Sequence, residues 1–567
     1  MTAPQIPQSE SIRDISHDQL FQRLSQIDVD ARLRAADREA IEIADGVFGK
    51  SSRTRTLPPD TATPLLAQFQ ERLAARIQAD AGRFSAYRWL WFSRRLPDGL
   101  FEGQFLSSAG YRRGLFETVT ALRASNVVDA TADQDATFFE YDDSTLRHLI
   151  RVVGLARILA IVHVDLRWVG KGASLHLPPY ALPRASPGTE LREAAELYDR
   201  RNEGAAQHFT GLGTVMASTP GAHDFRLGGA YRVANSSPVV IREPDPVAGF
   251  RKYVTEGRYA PAIIHFSGVL QLLADARIAG VLTWSLILRA LLVVMRLSLL
   301  VETLAGAREQ ASVLQNGYFA VHRESLFSLL EELIPSINAE LAMMALDLRV
   351  SETPAQVVQT IESAGASVWP LRVGPVLTAT PLGFVVDVSN STNRLFRELE
   401  YPNVTGDAAN VRAEHFETSV QRMIDWTHWK ASDSLGAIQG RSLRLDGIDL
   451  SDIDALGENG GTLLLVSCKS IPYSGRYDAG DFRTIRNTAS TVTEAVARWS
   501  AFVTILTEHP RGDNYDFSRY KEIVGVVCTP HVMYVPIGAA TREVRPGLRA
   551  AVSAVELADW VVRAQAP

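Results

Sequence analysis

The chain has 567 residues, 46% of them hydrophobic and 22% charged, with a formal net charge of -6. That length exceeds one ordinary core and implies about two to four folded units, and the apolar-to-charged balance excludes a disordered chain. A slightly acidic chain has no global basic field, so any nucleic-acid binding has to rest on a local patch. Only Cys468 and Cys528 are present, which excludes a disulfide scaffold and a four-cysteine zinc site and suits a reducing compartment. The start, MTAPQIPQSESIRDISHDQL, lacks a basic segment followed by an apolar run, so the expected setting is cytoplasmic.

Residues 1–60 read as a polar arm with one helix around ARLRAADREAIEIADGV and a proline-containing break at LPPDTATP. Apolar residues then recur at helical spacing to about residue 165, and again from FRKYVTEG at 250 to LAMMALDL at 348. The expectation is a mainly α-helical region over 61–345, with the proline-rich stretch 177–190 as an internal joint. Residues 281–304, VLTWSLILRALLVVMRLSLLVETL, have the length of a membrane span but are interrupted by Arg289, Arg296 and Glu302. A charge at the bilayer centre costs roughly 2.5–3.5 kcal/mol, so a buried helix is the favoured reading over a membrane one. Residues 346–405 alternate helix-start signals with short β-rich runs, as a small mixed α/β segment would. Pro402 and Gly406 then mark a boundary before a last domain at 411–567.

That domain opens with a helix in which Val411, Phe416, Val420, Met423 and Ile424 can share one side. Strands follow across 441–470, with the Asn-Gly signal of GENGG predicting a hairpin. Phe482, Ile485, Ala489, Val492, Val496, Trp499 and Phe502 recur at steps of three or four, predicting a long amphipathic helix. The strand EIVGVVCTP and the closing helix AAVSAVELADWVVRA complete the order, and strand–helix–strand implies a right-handed parallel crossover.

Side chains alternate along a strand, so Ser467 and Lys469 share one face while Leu464, Val466 and Cys468 share the other. Cys468 thus reads as core, not as a nucleophile. The hairpin folds Asp452 and Asp454 back so that one acid can meet Lys469 near the strand end. Such a pair suits phosphodiester hydrolysis: a carboxylate can bind Mg²⁺ or Mn²⁺, and an ammonium can orient water or stabilise charge developing on phosphate. Arg483 and Arg486, at helical spacing just beyond, suit phosphate contacts, with a solvated helix face as the alternative. Neither a paired histidine spacing for zinc nor a G-x-x-x-x-G-K-[ST] phosphate loop occurs.

These residues resemble the PD-(D/E)XK, or restriction-endonuclease-like, nuclease superfamily, particularly its Mrr-like members. The family pattern is an acid on a leading helix, an Asp on the second strand, then an acid or Gln just before a Lys on the third. The matching positions are Glu417 in HFETSV, Asp454 in DIDAL and Lys469 in VSCKS, over residues 411–530. The resemblance implies an α/β domain with a central mixed sheet flanked by helices. It also implies a divalent-metal-dependent DNA endonuclease acting in restriction, phage defence or repair. Asp454 and Glu417, or its neighbour Glu414, would hold Mg²⁺ or Mn²⁺ and Lys469 would assist water. The helical region would then recognise target or a protein partner, with an oligomer left open. Ser467 stands where the family carries its second acid, and Asp452, Asp478 or Asp481 could supply a migrated carboxylate. The alternative is a catalytically inactive nuclease-like module that binds nucleic acid or scaffolds a complex.

Overall fold

The computed structural model describes residues 26–49, 54–95, 109–124, 142–207, 284–304, most of 313–395, and 407–563 apart from 472–476 and 478–479, together with strands at 10–11, 226–245 and 249–265. The chain is a mixed α/β protein whose N-terminal half is mainly helical and whose C-terminal region carries small mixed sheets.

The first helices are α1 (Val29–Phe48), α2 (Pro59–Ala81), α3 (Ala86–Arg95), α4 (Ala109–Ala124) and α5 (Asp143–Gly170). Asp28 and Asp142 cap α1 and α5, accepting from the Ala31 and Thr145 amides. The proline stretch expected as a break instead starts α2, because Pro59 occupies a first-turn position where no amide hydrogen bond is lost. α5 is buried on most of its faces and forms the axis of the bundle. Leu33, Ala36, Ala40 and Ala44 of α1, with Leu66, Phe69, Leu73 and Ile77 of α2, belong to the same core.

After β1 (Glu10–Ser11), a three-stranded antiparallel sheet of β2 (Arg55–Leu57), β3 (Ser174–Leu177) and β4 (Arg184–Ser186) flanks the bundle, and α6 (Thr189–Gln207) follows. β5 (Arg226–Asp245) and β6 (Gly249–His265) then form a long antiparallel hairpin, with β1 added in parallel. Helical spacing had predicted helix from residue 250; the chain is strand there. Runs such as VVI at 239–241 and YV at 253–254 favour cross-strand pairing once a partner is adjacent.

The middle of the chain contains α7 (Leu286–Leu304), β7 (Tyr318–His322), α8 (Arg323–Met343), α9 (Pro354–Ala364), β8 (Leu377–Thr380) and β9 (Gly383–Asp387). Its antiparallel sheet has the order β7-β9-β8. The arginines that interrupt the apolar run of α7 are answered by facing acids, Arg289 by Glu352 and Arg296 by Glu340. No helix among the described residues is long and apolar enough to cross a membrane.

The last region runs α10 (Asp407–Asp425), α11 (Asp433–Gly436), β10 (Ser442–Leu445), β11 (Ile448–Asp452), β12 (Ala455–Asn459), β13 (Thr462–Cys468), α12 (Phe482–Glu508), β14 (Glu522–Thr529), β15 (Glu543–Arg545), β16 (Leu548–Arg549), β17 (Ala551–Ser553) and α13 (Ala554–Arg563). Four strands form a mixed sheet in the order β12-β13-β14-β17. β12 is antiparallel to β13, and β13, β14 and β17 are mutually parallel. The hairpin turn falls on Gly460–Gly461, both at positive φ, one residue later than the Asn-Gly signal suggests. Residues 551–553, expected as helix, pair instead with β14, and α13 starts only at Ala554.

Alternation along β13 sorts the core into two layers. Leu463 and Leu465 pack with Ile485, Val492, Val496 and Phe502 of α12. Leu464, Val466 and Cys468 pack with Val420 and Ile424 of α10 and with Leu557 and Trp560 of α13. Ala194, Ala195 and Tyr198 of α6 belong to the α12 layer. Arg201 of α6 also binds both carboxylate oxygens of Glu556, at 2.7 and 2.8 Å, and the Ala551 carbonyl at 3.0 Å. The helical region therefore supplies part of the C-terminal core.

Candidate functional site

Asp454 lies in the bend between β11 and β12, where the register Ala455↔Val466 carries it to the C-terminal end of β13. Its Oδ2 accepts the Cys468 amide at 2.6 Å and the Ser467 hydroxyl at 3.3 Å. The acid thus meets the strand and its serine, not the lysine ammonium as the hairpin geometry had suggested. The Lys469 amide continues the parallel ladder by donating to the Cys528 carbonyl at 2.8 Å. Its side chain forms no ion pair among the described residues, yet its charge is felt at both Asp454 and Glu417.

Glu417 reaches this end from the middle of α10 and is partly buried, whereas Glu414, one turn earlier, is exposed. Burial raises the proton affinity of Glu417, the Asp454 carboxylate raises it further, and Lys469 opposes both. Asp454 is likewise pushed above the usual carboxylate range, first by burial and with Asp452 adding; the Cys468 amide, Lys469 and Ser467 pull the other way. Two acids whose proton affinities are raised by burial and by a neighbouring carboxylate, Asp454 for Glu417 and Asp452 for Asp454, lie within the field of one cation.

The remaining candidates separate clearly. Asp481 is the N-cap of α12, accepting the Thr484 amide at 2.8 Å and its hydroxyl at 2.6 Å, so it is committed to the helix and not to a migrated ligand position. Asp478 lies outside the described residues. Asp452 is exposed at the end of β11 and acts on Glu417 and Asp454 through its field. Ser467 is buried. Cys468 and Cys528 are register neighbours on β13 and β14, both buried, and desolvation pushes both thiols up, away from nucleophilic behaviour.

Arg483 and Arg486 are exposed at the start of α12, with Arg486 lying 5.7 Å from the Phe482 ring. A backbone contact that sequence reasoning did not reach brings the end of α5 to this place. The end of α5 abuts the residue ahead of α12 so closely that a Cβ on Gly480 would stand 2.9 Å from the Arg167 nitrogen, and one on Gly170 would stand 2.3 Å from the Gly480 carbonyl. No local signal could reveal a contact across some three hundred positions. Arg167, Arg483 and Arg486 form no ion pair with a carboxylate among the described residues.

Among the described residues no group of three or more His, Cys, Asp or Glu side chains is arranged to hold a metal ion. Glu417 and Asp454 offer hard oxygen donors in a pair, a set that suits Mg²⁺, which is commonly held by one or two carboxylates with water and substrate phosphate completing its shell. Zinc, with its preference for nitrogen and sulfur, does not fit. No protein-family model, curated protein or solved structure matches this chain.

Proposed function

We propose that residues 407–563 form a restriction-endonuclease-like domain and that the chain is a divalent-metal-dependent DNA endonuclease. The observation that carries this reading is the convergence of Glu417 and Asp454, each with proton affinity raised by burial and by nearby acids, beside Lys469 at the carboxyl end of β13. The four-stranded mixed sheet between α10 with α13 and α12 supports the fold.

In this reading Glu417 and Asp454 would hold Mg²⁺ or Mn²⁺, which supplies Lewis-acid stabilisation of charge on the scissile phosphate. Asp454 is aimed by the Cys468 amide and the Ser467 hydroxyl. The Lys469 ammonium, which forms no ion pair among the described residues, would donate hydrogen bonds to the attacking water or to a non-bridging phosphate oxygen as charge develops. Water attacks phosphorus, the phosphorus–oxygen ester bond breaks, and the leaving oxygen takes up a proton. Arg483 and Arg486 would contact neighbouring phosphates and so set position but not sequence. Restriction, phage defence or repair is the setting this chemistry suits, with the helical region recognising target or a protein partner.

A second reading, an inactive nuclease-like module that binds DNA or scaffolds a complex, is favoured by Ser467. A neutral hydroxyl, already engaged with Asp454, replaces an anionic ligand. Cleavage assays on linear, circular and single-stranded DNA with Mg²⁺ or Mn²⁺ separate the two. Metal-dependent cutting, reduced at least a hundredfold in Asp454→Ala and Lys469→Ala, on the order of other single-group catalytic deletions, is the expected result. DNA binding without cutting would transfer the assignment to the second reading.

A further inference from the structure

Glu417 and Asp454 belong to different layers, one on a helix and one at the start of an edge strand, so something has to fix their separation. β12 is the edge of its sheet, and in its pairing with β13 the amide and carbonyl of Leu456 are left for a partner on the open side. Gln421, one helical turn beyond Glu417 on the same face of α10, supplies that partner. Its Oε1 accepts the Leu456 amide at 2.8 Å and its Nε2 donates to the Leu456 carbonyl at 2.9 Å. The second Nε2 hydrogen goes to Asp425 Oδ1 at 2.8 Å, so the amide is fully used, and the residue is buried.

The side chain thus imitates an adjacent strand for one residue and ties helix to sheet two positions from Asp454. The approach is close on either side of the tie: a Cβ on Gly457 would stand 2.6 Å from the Trp429 carbonyl and 2.7 Å from Ile424 Cγ2. We propose that Gln421 is the positioning residue of this site, a two-sided clamp on Leu456 that sets the spacing between Glu417 and Asp454. Its role in metal binding rests on the nuclease reading above, whereas its role in spacing does not. The residue itself touches neither metal nor substrate.

Two variants of the full chain test this. Gln421→Met keeps volume and helix propensity but removes both bonds; Gln421→Glu keeps the acceptor and loses the donor, placing a second anion against Asp425 and the Leu456 carbonyl. Spin labels on Glu414→Cys and Asp452→Cys, both exposed positions, report the spacing without any metal. Mn²⁺ affinity reports its consequence. The expected result is a narrow dipolar distribution that broadens and shifts in both variants, Mn²⁺ affinity falling about tenfold or more, and DNA binding in chelator unchanged. An unchanged distribution in Gln421→Met, or a changed one with unaltered Mn²⁺ affinity, overturns the positioning role. Should the parent chain bind no Mn²⁺ while the distribution still responds, the nuclease reading fails and the spacing role stands.

Discussion

Several buried charges of the helical and middle regions are answered at close range, whereas those at the end of β13 are not. Arg94 and Asp387, each 1% exposed, meet at 2.5 Å. Arg151 bridges Glu39 at 2.5 Å and Asp80 at 2.8 Å, and Arg289 holds Glu352 at 2.5 Å. At the candidate site, by contrast, Glu417 and Asp454 oppose each other and Lys469 forms no ion pair among the described residues. Beside these answered pairs, the acids and lysine at the end of β13 are left without an ion pair among the described residues, and a local inconsistency of this kind marks places shaped for a ligand and not for stability.

The largest expected effect lies on the neutralised side. Asp387→Ala removes the buried carboxylate that Arg94 meets and acceptors from Asn390, so it should cost about 3–5 kcal/mol of unfolding free energy in urea. A cost below about 1 kcal/mol would erase the contrast by showing that paired scaffold charges matter little.

Lys171 sharpens the comparison because it is a buried scaffold cation whose acid partner is distant and exposed. The Asp199 carboxylate is 3.8 Å away, and the ammonium also lies over the rings of Tyr198, Tyr534 and Trp168 at 4.7, 5.2 and 5.6 Å. Burial pulls its pKa down to about 8. The unfolded chain therefore binds more protons between about pH 8 and the ordinary lysine value, and stability rises with pH across that window. Below it the full cost of the charge is present. Lys171→Met should stabilise the protein by about 2 kcal/mol at pH 7, with the gain shrinking toward pH 10. Denaturation curves at the two pH values check this; a loss at pH 7 would mean that the three rings more than repay desolvation.

Much of the C-terminal layer order is legible in the sequence. Six of the seven apolar positions read on α12, all but Phe482, and the alternation of β13 carry it, because both are local periodicities that the core uses. Other features depend on partners distant in sequence. Ala551–Ser553 have an Ala-rich, helix-like context, yet β14 recruits them as a strand. The β5–β6 hairpin and the entry of α6 into the C-terminal core, through Tyr198 and Arg201, are likewise settled by packing. At the site, Glu417, Asp454, Ser467 and Lys469 are legible as a motif, but the choice of Ser467 and the Cys468 amide as partners of Asp454 is not, since it depends on the bend before β12. Gln421 carried one faint signal, its four-residue spacing from Glu417.

Burial makes the Asp454 carboxylate costly to ionise in the folded chain. Because burial and Asp452 raise its proton affinity in the folded state, the folded chain holds its proton more tightly than the unfolded chain. The penalty is present above the raised folded-state pKa and disappears as pH falls below the ordinary aspartate value. Thermal unfolding of the parent chain and Asp454→Asn at pH 7.5 and pH 4 measures it directly, since Asn keeps an acceptor for the Cys468 amide. A higher melting temperature for Asp454→Asn at pH 7.5, narrowing at pH 4, is predicted. A lower melting temperature at pH 7.5 would contradict it and make Asp454 a structural carboxylate.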